Sequence, residues 1–241
     1  MTQRSMSGHH RTRPRATHTR VGIAVLVATT CLGTLATSFA AVDAAPAAAV
    51  PAPTVTAAGS RAQANDPVVA LAVEAVADLE EALVAPDGAT VSLTHYQALR
   101  MQIATELANR LAIDPARLIA AWQNADLTHQ LALMAAFTQL GVPYRRNTSK
   151  AGEGFDCSGI TTYAWGVAGT TLTRQSGVQI RNAAARTAET AMAGDLVYYP
   201  GHVMLWLGVD NAILHAPYTG RNVEVDTITR RRSVRYGNPI G

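Results

Sequence analysis

Cysteine is almost absent from this chain: two residues, Cys31 and Cys157, in 241. The first lies in an apolar run near the amino terminus, so an intramolecular disulfide framework is excluded once that run is removed. Acidic residues are also missing before Asp43, although Arg4, Arg11, Arg13, Arg15 and Arg20 all fall in that stretch. The basic pI therefore carries no message about nucleic acid. Five of the 20 Lys+Arg lie in the leader, leaving 15 against 16 Asp+Glu after residue 45. No internal repeat is apparent either.

The amino terminus holds a basic segment, the apolar run "VGIAVLVATTCLGTLATSFAAV" and a cluster of small residues, "SFAAVDAAPAAA". These are the parts of a secretory signal over residues 1–44, with an exit after Ala40 or after Ala44. The run is also long enough for an uncleaved membrane anchor. On either reading the remainder faces an extracytoplasmic space, secreted or wall-associated. Around Cys31 the small apolar residues expected before a lipidated cysteine are missing. Residues 45–65 are rich in Ala, Pro and Thr and read as a disordered linker.

From Asp66 the apolar residues recur at helical spacing. Helices are expected from Pro67 to a stop at Pro86-Asp87-Gly88, from Thr94 to Ala112, from Pro115 (capped by Asp114) through Trp122, and from Asp126 to a C′ glycine at Gly141. Residues 66–128 are expected to form a helical prefix domain that holds or covers the cleft of a second domain, 129–241. Charge divides along the chain: residues 46–136 hold 4 basic and 9 acidic side chains, residues 137–241 hold 11 and 7. That split is either ordinary surface or a sign that an acidic prefix docks on, or covers, a basic partner. Beyond Tyr144 come a helix in "CSGITTYAWGVAG" and then the short runs "DLVYY", "HVMLWLG", "AILHA" and "NVEVDTI". Turn residues separate these runs closely, which indicates an antiparallel sheet and an α+β fold.

A lone exported thiol invites a catalytic reading. Cys157 opens a helix, where exposed N–H groups favour the thiolate and can hold an oxyanion. Asp156 is the natural cap, Ser158 lies next to the sulfur, and Gly159 is expected to leave the first turn open to substrate. A cysteine nucleophile needs an imidazole. Of the histidines after the leader, His95 and His129 lie on expected helices and read as surface or interface residues. His202 and His215 flank one hairpin. A four-residue loop would set His215 across from Met204, on the same sheet face as His202 and diagonal to it at roughly 7–8 Å between Cα atoms. A two-residue loop would set it across from Trp206. Two bland readings stand beside this: Cys157 as an inert buried thiol, and the histidines as ordinary strand residues. Cys157, His202 and His215 are also a possible zinc triad, but without a close ligand pair no metal is expected.

Six segments in order are similar to the NlpC/p60 family of bacterial cell-wall cysteine peptidases, over about residues 129–241. They are "QLGVPY", "FDCSG", "LTRQS", "AGDLVYY", "GHVMLWLG" and "LHAP". The resemblance implies a papain-like α+β fold, with Cys157 as nucleophile, His202 as general base and His215 as the residue that orients the imidazole. It places Tyr144 close to the thiol and gives Tyr144, Asp156 and Ser158 a part in oxyanion support or substrate binding. It implies no cofactor, and as partner the peptide stems of peptidoglycan, often cut between D-glutamate and diaminopimelate. Where family members commonly carry an aromatic residue and a Gly-Gly pair, this chain reads "YRRNTSKAGEGF", so the cleft rim is more basic. A non-catalytic wall-binding or partner-binding module, and an amidase or acyltransferase with the same Cys-His site, are the competing functions. The oligomeric state is not legible.

Overall fold

The computed structural model describes residues 65–84, 89–228 and 233–241. The expected leader, nearly all of the linker and the stop at Pro86-Asp87-Gly88 lie outside the described residues. Among those described, no helix is long and apolar enough to cross a membrane.

Four helices precede the sheet: α1 (Pro67–Val84), α2 (Ala89–Leu111), α3 (Pro115–Gln123) and α4 (Leu127–Phe137). In α1 the buried positions Val68, Ala72, Ala75, Val76, Leu79 and Ala82 recur at three- and four-residue spacing, the stripe that drives a helix onto a core. Asp114 caps α3 by accepting the N–H of Ala116, with Pro115 in the first turn, as the sequence predicts. Two boundaries differ from expectation. Helix α2 begins five residues earlier than Thr94, and α4 ends at Phe137 rather than running to Gly141. Its last carbonyls are taken by tight turns, Gln139 N–H to Ala136 O and Leu140 N–H to Phe137 O. Gly141 (φ 83°) then donates to Val223 O, so it turns the chain toward the sheet instead of closing the helix.

Beyond a small hairpin of β1 (Ser149–Lys150) and β2 (Gly154–Phe155) lie α5 (Cys157–Val167) and α6 (Ser176–Asn182). The main sheet is wholly antiparallel, in the order β3-β8-β4-β5-β6-β7, with β3 Ala184–Arg186, β4 Leu196–Tyr199, β5 His202–Trp206, β6 Ala212–His215, β7 Glu224–Thr227 and β8 Arg235–Asn238. The carboxy-terminal strand thus inserts between β3 and β4. Gly237 makes this possible: a Cβ there would lie 2.8 Å from Ala183 Cβ and 2.9 Å from Ile180 Cδ1.

Alternation along the strands separates two faces. Leu196, Val203, Leu205, Leu207, Ala212 and Leu214 join one continuous core with α1, α2, α4 and α5. Val197, Met204, Trp206 and Ile213 form a smaller cluster on the outer face. The prefix meets the sheet at the turn of the β5–β6 hairpin. Trp122 Nε1 donates to Leu207 O (2.9 Å), Arg117 pairs with Asp210 (2.6 Å), and Gly208 lies so close that its Cβ would be 2.8 Å from Ala121 Cβ. The pair between α3 and the hairpin has its cation on α3 and its carboxylate on the hairpin, and the contact is mainly apolar burial.

Candidate active site

Helix α5 starts where three pieces of chain converge on one carboxylate. Asp156 Oδ1 accepts the N–H of Gly159 (2.7 Å) and Oδ2 that of Asn147 (2.8 Å), while Arg174 Nη2 reaches both oxygens (2.8 and 2.9 Å). The cap therefore ties the helix, the 147 turn and the 174 loop together, with Cys157 at the first helical position. Its oxygens are committed to that scaffold. Gly159 does not leave space for a substrate, contrary to the sequence expectation: a Cβ would sit 2.0 Å from Thr148 O. Gly159→Ala is expected to force the 147–148 turn away and destabilise the protein by about 2 kcal/mol or more, read as a fall in melting temperature together with lost activity.

Ser158 is likewise bound inward, with Oγ donating to Arg174 O at 2.7 Å. Gln179, 2 % exposed, accepts from Thr161 Oγ1 (2.7 Å) and donates to Thr173 O (2.7 Å) and Ser158 O (3.1 Å). Arg174 and Gln179 thus fix the loop carrying "LTRQS" against the helix. Sequence reasoning noted that string but assigned neither residue a role. The signal was a charged and an amide side chain flanking a short loop, legible only once the loop is known to touch α5.

The histidines come from the adjacent strands β5 and β6. Leu205 pairs with Leu214 and Trp206 with Ile213, and Leu207 N–H bonds Ala212 O, so the connection is the four residues Gly208–Asn211. Continuing that register puts His215 opposite Met204 and diagonal to His202, the arrangement the four-residue loop predicts. The rings meet edge to face, with centroids 5.1 Å apart and His202 Nε2 at 2.9 Å from His215 Nδ1. Two nitrogens facing each other across a hydrogen bond do not converge with the sulfur on one ion, so the zinc-triad reading lacks its geometry. Cys157 is partly exposed, and its sulfur takes the backbone N–H of Val203, the residue after His202, and that of Ser158. Cys157 thus lies against the β5 backbone one residue from His202, and His202 in turn is bonded to His215. Tyr144 is there too: burial pushes its phenol up, and the neighbouring Cys157 and Asp156 push it further.

Electrostatics correct the expectation of a resting thiolate. Burial raises the Cys157 pKa, and the nearby Asp156 charge adds to this. The N–H groups of Val203 and Ser158 and the Arg174 cation pull it back without cancelling the rise. Burial lowers His202 to about 4. It also lowers His215, to about 3, with help from His202 and Arg221. At neutral pH the site rests as thiol beside uncharged imidazole.

On the other side of His215 the sheet presents carboxylates. Glu224 Oε1 is 3.6 Å from His215 Nε2, and Asp226 lies one step further along β7. A cavity of about 390 Å³ opens over this outer face, lined by Tyr199, His202, Met204, His215, Tyr218 and Asp226 among others. Of the two other histidines among the described residues, His95 is exposed and bonded to Asp78 (2.8 Å), as expected. His129 is not at the surface: it is fully buried, with Nδ1 2.7 Å from Asp126 and Nε2 3.2 Å from the equally buried Asp195.

Comparison with known proteins gives a consistent picture. Residues 141–236 match the NlpC/P60 family. A gamma-D-glutamyl-L-lysine dipeptidyl-peptidase of Bacillus cereus is 36% identical over 94 residues, 36% of this chain and 28% of that protein. Peptidoglycan endopeptidase RipA of Mycolicibacterium smegmatis is 34% identical over 116 residues, 41% of this chain and 23% of RipA. RipB of Mycobacterium tuberculosis is 32% identical over 123 residues, 44% of this chain and 51% of RipB. The chain thus spans between about a quarter and half the length of these curated relatives. Among solved structures, the P60 domain of an M. avium subspecies paratuberculosis antigen aligns with a TM-score of 0.42 at 25% identity, covering 47% of this chain and 96% of that domain.

Proposed function

We propose that the NlpC/P60 domain carried by residues 141–236 makes this chain a cysteine endopeptidase that hydrolyses peptidoglycan stem peptides outside the cytoplasm. The bond is of the D-glutamyl–diaminopimelate type, in keeping with relatives named for cleavage beside D-glutamate and for peptidoglycan endopeptidase action. The observation that carries the reading is the 2.9 Å bond between His202 and His215, one residue from the N–H that reaches the Cys157 sulfur.

Proton bookkeeping follows from that bond. For His202 to accept a proton from sulfur through Nδ1, its Nε2 must carry hydrogen and donate to His215 Nδ1. His215 then holds its own proton on Nε2, toward Glu224. Cys157 attacks the scissile carbonyl carbon as its proton passes to His202, and the N–H groups at the start of α5, that of Ser158 included, hold the oxyanion. Collapse expels the amine, which takes the proton back from His202, and leaves a thioester. Water, deprotonated by the same imidazole, then releases the acid and restores the thiol. His215 orients the ring throughout, and Tyr144 and the Asp156 cap shape the thiol's surroundings. Arg145 and Arg146, both exposed, give the rim positive charge for stem-peptide carboxylates, while residues 66–128 brace the hairpin from its far end. No step requires a cofactor.

The direct test is digestion of purified sacculi, with released muropeptides identified by mass spectrometry. Fragments with a new diaminopimelate or lysine amine and a free D-glutamyl carboxylate are expected. Release of intact stems from the glycan would instead make the enzyme an amidase. The pH profile offers a second check. The base must be unprotonated, and burial holds His202 at about 4. Activity should therefore persist as pH falls through 6.5, the usual histidine range, and be lost as it falls through about 4.

A further inference from the structure

We propose that His215, Glu224 and Asp226 form a binding site for a divalent transition-metal cation of the zinc class, and that occupancy switches the active site off. The consequence for activity rests on the function proposed above; the site itself does not. Register builds it: Glu224 pairs directly with His215 and Asp226 with Ile213, so alternation sets His202, His215, Glu224 and Asp226 on the same outer face. One donor atom from each of His215, Glu224 and Asp226 lies within 4.8 Å of the others. The 3.6 Å between His215 Nε2 and Glu224 Oε1 is close to the roughly 3.4 Å separating two ligands bound at about 2.0–2.2 Å around a tetrahedral ion.

A second observation points the same way. His215 is 9 % exposed, and its Nε2 is buried with no hydrogen-bond partner. Such a nitrogen is costly to leave unmade, and this one is aimed at two carboxylates. One nitrogen and two oxygen donors suit zinc and its neighbours. His215 and Asp226 both line the outer-face cavity, which offers entry for the ion and room for a water ligand. Arg221 competes: it holds Glu224 at 2.5 and 3.2 Å and must yield for the ion to bind. That competition makes the site one for intermittent occupancy.

The switch follows from tautomers. A cation on His215 Nε2 requires a lone pair there, which places the proton of that ring on Nδ1. Nδ1–H must then donate to His202 Nε2. The His202 proton is thereby driven to its Nδ1, the atom needed to receive the proton from Cys157. Both rings stay in place, yet the base has no free electron pair facing sulfur.

The test uses the full chain with Cys157→Ala, titrated with zinc chloride by equilibrium dialysis. One Zn²⁺ per chain is expected, weakened at least about tenfold by Asp226→Asn, with the loss of a ligand set against the 10–100-fold effect of an outer-shell change. Arg221→Gln should bind more tightly, an opposite response that a misfolded variant would not give. Histidine ¹⁵N spectra should show the His202 proton moving from Nε2 to Nδ1 on zinc addition. In the wild type, zinc should inhibit hydrolysis reversibly toward EDTA, and Asp226→Asn should lose that inhibition relative to its own uninhibited rate. Absence of binding to the Cys157→Ala chain, or binding indifferent to Asp226→Asn, would overturn the site. So would a thiolate-to-metal absorption band with Co²⁺ in the wild type, which would put the ion on Cys157. If the metal-free wild type fails to digest sacculi while the Cys157→Ala chain binds zinc as described, the site stands and the peptidase assignment falls.

Discussion

Cys157→Ala is expected to lower stem-peptide hydrolysis by at least about four orders of magnitude while costing no more than about 1–2 kcal/mol of stability. The two halves of that expectation have separate causes. In the proposed mechanism the sulfur is the one protein atom that bonds to substrate, and the remaining oxyanion donors would have nothing to stabilise without it. The scaffold, however, is indifferent to the thiol. Asp156, Arg174 and Gln179 hold the start of α5 through other atoms, and Cys157 is only partly buried. Digestion of sacculi beside a thermal melt measures both. Substantial residual cleavage by the alanine variant would remove Cys157 from the chemistry. A collapse in melting temperature would make it a structural residue.

The largest stability effect is expected at the opposite side of the core. His129 and Asp195 are both fully buried and 3.2 Å apart, with Asp126 2.7 Å from the other ring nitrogen. Burial alone would lower the His129 pKa, but the hydrogen bonds and charges of Asp195 and Asp126 outweigh it and raise the value. Removing one partner leaves a buried charge uncompensated. Asp195→Ala or His129→Leu should each cost about 3–5 kcal/mol, or about 10 °C in melting temperature for a chain of this size. Replacing both by leucine should recover part of the loss. The sign with pH is fixed by the raised value: the contribution of His129 is complete below pH 6.5 and fades as pH rises through its folded pKa. Melts of wild type and His129→Leu should therefore converge in alkaline buffer. An unchanged gap would mean that His129 acts only by filling space, against Trp165 among others.

The hairpin was the most legible part of the site. Alternation puts His215 on the face of His202 for a loop of two or four residues, and the observed register selects the four-residue loop that sets the two diagonal to each other. The cap at Asp156 and the α5 start were also readable, since local hydrogen bonds decide them. What the sequence did not show depends on distant chain. Gly159 seemed to open the first turn because nothing nearby announces that Thr148 O fills the space. The helical pattern around His129 fits a surface or interface residue, because its buried partner Asp195 lies 66 positions away. The thiol's raised pKa escaped notice because helix-terminus effects are local while burial is a property of the whole fold. Glu224 and Asp226 sat in plain view in "NVEVDTI", but only the β6–β7 register turns them toward His215.

One continuous core joins Val68, Leu79, Ile103 and Trp122 to Leu131, Phe137, Trp165 and Leu205. A polypeptide cut ahead of His129 would leave the aliphatic undersurface of α4 facing water, and would strip the β5–β6 turn of its Trp122 and Arg117 clamps. Residues 129–241 alone are therefore expected to melt well below the whole chain, because they lose that burial. A cut upstream of Asp66 removes none of the core residues described, so it should leave the melting temperature unchanged, whereas a transplant without the helices should lower it.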